Sequence, residues 1–365
     1  MIPVHSPYLG GNERKYVMDC LDTNWISSFG PYNKKFEKAC ADYLGMKHAV
    51  GVVNGTCALH LCVLSLGIGP GDEVIVSDFT MAASAFSVAY TGAKPIFVDS
   101  EPLTCNIDPK KIEEKITQKT KAIMVVHIYG HPCDMDPIMK IAKKHNLYVI
   151  EDVAEAHGAL YNKKQCGTFG DISAFSYYAN KIITTGEGGM VVTNDDKLAE
   201  KARFLENNAF DAERRHIHTE IGYNYRMPNI QAAIGLGQIE RIEETIKQKR
   251  SLSAKYNKLL KGIPGLILPY EANNVRHVYW MYFVRFEKEF GMSRDEVKKK
   301  LLEEGIETRY AFTGMHKQPC FNYPKSEKFP VSERLEQTGM YLPSAHTLTD
   351  DQLEFITNTI KELER

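Results

Sequence analysis

Long hydrophobic runs are missing from this chain: nothing in its 365 residues approaches the roughly 18 consecutive apolar residues of a membrane span. The start, Met1-Ile-Pro-Val-His-Ser-Pro7, lacks the charged opening and apolar core of a signal peptide. An excess of either charge is missing too, since 45 Lys and Arg stand against 46 Asp and Glu, for a formal net charge of -1. That balance offers no basic footprint for nucleic acid or for an anionic membrane surface. The eight cysteines include no CxxC pair. Such usage fits reduced thiols in a cytoplasmic protein better than disulfides or zinc. No metal is expected either, because His127, His131, His145, His216 and His218 lack ligand spacing. Thr184-Thr-Gly-Glu-Gly-Gly189 is glycine-rich, yet it has neither GxGxxG spacing after a strand nor the Lys-Ser/Thr pair of a P-loop. A dinucleotide fold is thereby excluded.

What is present is an ordinary globular composition, 43% hydrophobic and 25% charged, in a chain long enough for two units. Short Val- and Ile-rich strands alternate with helical patterns from Ala49 onward: 49–53, 73–76, 95–98, 122–126, 148–150, 172–175 and 190–193 read as strands. This alternation predicts an α/β fold with a large, mainly parallel sheet covered on both faces. A long helical pattern starts near Pro228 and runs past Lys247. Beyond it, a strand-like 279–286 and charged helices over 293–304 and 349–364 predict a smaller α+β unit. The expected division is 1–245 for the large domain and 246–365 for the small one.

Three stretches could carry chemistry. Lys181 sits in Ser176-Tyr-Tyr-Ala-Asn-Lys181-Ile-Ile-Thr-Thr-Gly, among aromatic, small and β-branched residues that would strip water from an ammonium. Desolvation lowers a lysine's pKa, and a neutral amine can attack an aldehyde to form a Schiff base. Asn54-Gly55-Thr56-Cys57 joins a strand to a helix, where backbone N–H groups and the helix dipole suit a phosphate. Glu151-Asp-Val-Ala-Glu-Ala-His157 follows a strand, and a carboxylate there could keep a ring nitrogen protonated. Asn-Gly before a helix is also an ordinary turn, Asp152 could be a plain N-cap, and His157 could be a base or a structural donor.

Taken together, these motifs resemble the DegT/DnrJ/EryC1/StrS family of pyridoxal-phosphate (PLP) sugar aminotransferases. The resemblance runs from Gly10-Gly-Asn-Glu-Arg14 and Trp25-Ile-Ser-Ser28, through the three stretches above, to Gly222-Tyr-Asn-Tyr-Arg-Met227, Asn229-Ile-Gln-Ala-Ala233, His277-Val-Tyr-Trp-Met-Tyr282 and Met315-His316. It implies the aspartate aminotransferase-like, type I fold of PLP enzymes. It also implies that Lys181 bonds the cofactor aldehyde, that Asp152 faces the pyridine nitrogen, and that Glu155 approaches the 3'-oxygen with Ala154 against the ring. Thr56, the Cys57 backbone and Ser176 would cup the phosphate, joined by Asn224 from a neighbouring subunit, so a homodimer with shared active sites is implied. Trp25, Ser28, Arg226, Thr313 and His316 are the candidates for nucleotide-sugar contact. A sister branch of dehydratases carries histidine at the lysine position, and Lys181 argues against it.

The implied reaction moves an amino group from L-glutamate, through pyridoxamine phosphate, to a nucleotide-linked keto sugar, leaving 2-oxoglutarate. Asp22 to Gly30 and the Lys181 motif point within the family to C4 of GDP-4-keto-6-deoxymannose, a precursor of the deoxyamino sugars of lipopolysaccharide O-antigen. Two departures bear on the sugar. Met81 stands where relatives place an aromatic residue on the ring, and Phe312-Thr-Gly-Met-His316 replaces a more usual Phe-His-Pro-Met-His. Alternatives are a UDP- or dTDP-linked keto sugar, a GDP-linked 8-keto-octulosonate, an elimination or desulfurisation at the same cofactor, or a non-catalytic sensor using the same pocket.

Overall fold

Short strands rich in Val and Ile build the central sheet. They are β1 (His48–Val52), β2 (Glu73–Ser77), β3 (Lys94–Val98), β4 (Thr120–Val126) and β5 (Tyr148–Asp152), followed, after a small hairpin of β6 (Leu160–Tyr161) and β7 (Lys164–Gln165), by β8 (Ile172–Ser176) and β9 (Gly189–Thr193). Their order across the sheet is β1-β9-β8-β5-β4-β2-β3 in a computed structural model that describes residues 1–211, 213–214 and 216–364. Pairs among β3, β2, β4, β5 and β8 are parallel, whereas β9 runs antiparallel to both β8 and β1. The expected mainly parallel sheet is therefore present, with one reversed strand.

Both faces of the sheet are covered, as the unbroken apolar strands require. Alternate residues go to different cores: Val74 and Val76 of β2 join one apolar cluster and Ile75 joins another. Helices α1 (Glu13–Asp22) and α2 (Pro31–Leu44) precede the sheet, and α3 (Gly55–Ser65), α4 (Ala82–Tyr90), α5 (Pro109–Ile112), α6 (Met135–His145) and α7 (Asp196–Glu206) follow its strands. Helix α3 is buried from Ala58 to Val63, because every side of it is apolar. Each Leu or Val so covered contributes roughly 1.5–3 kcal/mol of transfer free energy.

The single helix expected from Pro228 past Lys247 is in fact two, α8 (Asn229–Ile239) and α9 (Ile242–Leu260), with Arg241 at φ -121 and ψ 11 between them. The residues explain the break. Segment 229–239 is apolar almost all round and is buried against α1 and α2, whereas α9 has one apolar stripe and turns to meet a different core. Ile242 and Ile246 pack in the large core, and Leu252, Tyr256 and Leu260 pack in a second cluster. That second cluster lies on an antiparallel sheet of order β10-β12-β14-β13, formed by β10 (Leu266–Ile267), β12 (Tyr282–Phe286), β13 (Arg309–Tyr310) and β14 (Gly339–Leu342). β11 (Val275–Arg276) pairs instead with β6. Helices α10 (Arg294–Glu303), α11 (Pro330–Thr338) and α12 (Asp350–Leu363) complete the chain. Ser293 and Thr349 open α10 and α12 with reciprocal capping boxes, which satisfy amides that no preceding turn could serve.

The strand expected over 279–286 begins only at Tyr282. Tyr279 has φ +49, a left-handed conformation that takes the chain out of extended pairing and turns Trp280 toward the large sheet.

Candidate active site

β1, β5 and β8 run in one direction, so their carboxyl ends share an edge, the usual ligand side of such a sheet. A cavity of about 460 Å³ opens there, and its walls include Thr56, Met81, Asp152, Ala154, Glu155, Ser176 and Lys181. These seven expected residues, from four separate stretches of sequence, are brought together by the fold.

One end of the cavity is the N-terminus of α3. Asn54 caps it by accepting the Cys57 amide at 2.9 Å. The Cys57 amide is thereby engaged, while Gly55 and Thr56 head the helix, where no earlier turn offers their amides a carbonyl. Gly55 has to be glycine: a Cβ there would lie 2.6 Å from Ser176 Cβ. The result is a small, amide-lined, positively polarised cradle with the Thr56 and Ser176 hydroxyls beside it, which fits a phosphate.

Side-chain alternation separates two neighbouring acids at the end of β5. Asp152 lines the cavity, with Oδ2 accepting from the Ser84 hydroxyl at 2.8 Å and Oδ1 from the Ala154 amide at 3.0 Å. Burial raises its carboxyl above the usual range, and these bonds and the Lys181 charge only partly offset that. Glu151 points away from the cavity. It accepts the amides of Gly167, Phe169 and Gly170, each at 2.7 Å, and His127 Nε2 at 3.2 Å. His127 Nδ1 takes the Cys133 amide, so the ring proton sits on Nε2 and points to Glu151. Burial alone would raise the Glu151 carboxyl, but the His127 bond and charge and the amides outweigh it and hold the group below its usual range.

Glu151 thus holds a loop rather than a ligand. Glu151→Ala is expected to destabilise the protein by about 3 kcal/mol, since it leaves one buried and two part-buried amides and the buried His127 without their acceptor. Chemical denaturation checks this. The pH sign follows from the lowered value: the stabilisation is full above the unfolded carboxyl pKa and is lost as pH falls through the lower folded one. The variant's deficit should therefore shrink in acid.

Lys181 follows β8 in a turn that bonds back on itself. The Thr185 amide and Thr184 hydroxyl both donate to the Tyr177 carbonyl at 2.9 Å, and the Lys181 amide donates to Tyr178. The glycine-rich stretch is thus a turn that fixes the lysine. Lys181 Nζ lies 4.0 Å from the centroid of the Trp280 ring. Burial draws its pKa below the ordinary lysine value, against the opposing charges of Glu155 and Asp152. Glu155 accepts the Tyr129 amide at 2.6 Å, and burial pushes its carboxyl up to about 7. His157 does not line the cavity; burial and the Lys181 charge push it down to about 3, so it is no base near neutral pH.

The remaining expected residues lie elsewhere. Ser28 and Arg226 line a second cavity of about 390 Å³, and Asn224 Oδ1 accepts from the Arg226 guanidinium at 2.9 and 3.1 Å. Trp25 and Thr313 are exposed. His316 turns from the cavity to Asp78 Oδ2 at 2.8 Å and stacks on Phe329. Burial opposes its protonation, but the Asp78 bond and charge prevail and raise its pKa. Sequence reasoning missed Tyr178, Asn180, Glu187, Trp280, Phe312 and Tyr341, which line the main cavity. It also missed Ser84, whose place three residues after Met81 at the start of α4 was the available signal.

A phosphate cradle, a buried carboxylate and a desolvated amine between them, on the carboxyl edge of this sheet, define a PLP-dependent transferase of fold type I. Comparison with known proteins agrees. Residues 7–361 match the DegT/DnrJ/EryC1/StrS aminotransferase family, and the chain belongs to it. It is 47% identical over 363 residues to the GDP-perosamine synthase of Caulobacter vibrioides, with 99% of this chain and 98% of that protein aligned. The GDP-perosamine synthase of Escherichia coli O157:H7 is also 47% identical, again over 99% of this chain and 98% of that protein. Among solved structures, Streptomyces DesV, described as S. venezuelae DesV in complex with a ketimine intermediate, superposes with a TM-score of 0.91 at 34% identity, covering 97% of this chain and 95% of that one. TlmJ from Streptoalloteichus hindustanus gives 0.94 at 30%, covering 100% and 98%. The protein is a sugar aminotransferase, and its cofactor is PLP.

Proposed function

We propose that the enzyme transfers the amino group of L-glutamate to C4 of GDP-4-keto-6-deoxymannose. The observation that carries this reading is full-length identity of 44–47% to three GDP-perosamine synthases, joined to a cavity that fits the cofactor. PLP, when bound, supplies an electron sink conjugated to the carbon that gains or loses a proton. The chain's own residues do the rest. The N-terminus of α3, with Thr56 and Ser176, binds the phosphate. Asp152, backed by Ser84, holds a proton on the ring nitrogen. A pyridinium cation beside Asp152 would return its carboxyl to the ionised form that burial alone disfavours. The Met81 thioether would pack on the ring, and Ala154, which also lines the cavity, would lie against it.

Lys181 would hold the cofactor through its aldehyde, and its amine would carry the proton to and from the donor's α-carbon. The same amine returns a proton in the reverse sense when the keto sugar enters. Burial moves its pKa down from the ordinary lysine value, the direction that favours both duties, because a free amine takes a proton more readily when less of it is already protonated. Asn224 and Arg226 lie outside this chain's own cavity, which supports a homodimer in which they reach the partner's site. No helix among the described residues is long and apolar enough to cross a membrane, and a cytoplasmic location is part of the same proposal. So is a division of the chain at 245/246, inside α9, close to where its packing passes from the first core, which still holds Ile246, to the second, which takes Leu252 onward.

Amino transfer from glutamate to a panel of GDP-, UDP- and dTDP-linked keto sugars, read by mass spectrometry, tests the reading. The GDP-linked 4-keto sugar should gain the amine fastest. Preference for another sugar would move the assignment to the walls at Met81 and Phe312, and no transfer to any acceptor would overturn it.

A further inference from the structure

Lys249 of α9 is 2% exposed and forms no ion pair among the described residues. Its ammonium instead donates to two main-chain carbonyls, those of Trp280 and Ser344, both at 2.6 Å. The titratable groups facing it, His5 and His346, are both drawn down by burial and the Lys249 charge, so no anion repays the burial of the ammonium. A methionine would fill the same space without the cost of desolvating a charge. What the lysine adds is the pair of bonds.

One of those bonds lands just before the strand ladder begins. Trp280 follows the left-handed Tyr279 and precedes β12, so it lies outside the strand ladder. Besides ring packing on Tyr129 and Tyr341, three hydrogen bonds fix it: its amide donates to the Tyr129 carbonyl at 2.9 Å, its indole N–H donates to the Asn180 carbonyl at 2.6 Å, and its carbonyl takes Lys249. Asn180 is the residue before Lys181, and the indole face lies under Lys181 Nζ. Lys249, Trp280 and Lys181 therefore form one line of contact from α9 to the cavity.

We propose that Lys249 is a positioning residue for Lys181, acting through Trp280: its two bonds hold the indole that seats the reacting amine in its dry pocket. The inference rests on the reading of Lys181 as the amine that bonds the cofactor. It predicts that releasing Trp280 lets water reach Lys181.

The chain has two tryptophans, so in a Trp25→Phe background Trp280 is the sole indole reporter. Lys249→Met, Lys249→Gln and Lys249→Arg would be compared with that parent after removal of the cofactor. Acrylamide quenching of Trp280 should rise in Lys249→Met, rise less in Lys249→Gln, which keeps a donor, and return toward the parent in Lys249→Arg. Acylation of Lys181, followed by peptide mass mapping across pH, should show its midpoint moving up by about one unit in Lys249→Met as the amine is rehydrated. Glu155, Asp152 and His157 also face Lys181 electrostatically and are unchanged in every variant, whereas His5 faces both lysines, so the same comparison is made in a His5→Gln parent to remove its contribution. Should Lys249→Met fail to fold, Lys249→Gln carries both measurements. A folded variant that is merely less stable, with Trp280 quenching and the Lys181 midpoint at parental values, overturns the proposal. The cofactor bond is tested separately on Lys181→Ala holoenzyme, so failure of that reading is distinguishable from failure of this one.

Discussion

Lys181→Ala is expected to lose amino transfer by a factor of about 10⁴ or more and to lose the absorbance near ~410–430 nm that a lysine-bound PLP gives. Two separate functions vanish together. The amine proposed to bond the cofactor aldehyde is gone, and with it the group proposed to move a proton in both directions. Glu155, whose carboxyl burial pushes up to about 7, is tied to the Tyr129 amide. Asp152 is committed to Ser84 and Ala154. His157 stays neutral behind the wall. None of these has lysine's reach, so a partial substitute is not expected. Removing an ammonium that burial already disfavours should leave the fold intact, and near-parental thermal unfolding of the cofactor-free variant would show that the lost activity is chemical. An intact absorbance band in the variant would remove Lys181 from its role.

The sites that could be read from sequence share one property: each lies within a few residues of a strand's carboxyl end. Asn54 to Thr56 follows β1, Asp152 ends β5, and Ser176 ends β8 with Lys181 five residues on. Strand periodicity places such residues on a known edge without any knowledge of tertiary packing. Trp280, Phe312 and Tyr341 could not be placed this way. They come from the second sheet and its loops, about a hundred residues or more from Lys181 in sequence, and only the turn of α9 between the two cores carries them over the cavity. The break at Arg241 was hidden because an apolar helix and an amphipathic one joined end to end give nearly continuous helical periodicity. The separation of Glu151 from Asp152 was hidden for a different reason. Alternation says that the two acids face opposite ways, but not which of them meets the cavity.

Asp152→Asn is expected to lower kcat by roughly 10²–10³-fold, the cost of removing one preorganised charge from a dry site. The amide keeps the shape, with its oxygen accepting the Ala154 amide and its NH2 donating to the Ser84 hydroxyl, but it cannot hold a positive ring nitrogen, so the electron sink weakens. The stability effect should run the other way in the absence of cofactor. Burial raises the Asp152 carboxyl above its unfolded value, so between those two values the folded state holds more protons than the unfolded one. Stability then falls as pH rises through that window, and at neutral pH the carboxylate is a net cost to the empty fold. Asparagine removes this cost. Cofactor-free Asp152→Asn should therefore unfold at the same temperature as the parent or higher, while the added stabilisation from saturating PLP should be smaller than in the parent. Thermal unfolding with and without PLP, run beside the kinetics, separates the two effects. A variant destabilised in both states would mean that Asp152 chiefly supports α4 through Ser84, and the ring-nitrogen role would fall. Opposite signs in the two states would mark Asp152 as a group held at a cost to the fold for the sake of the cofactor.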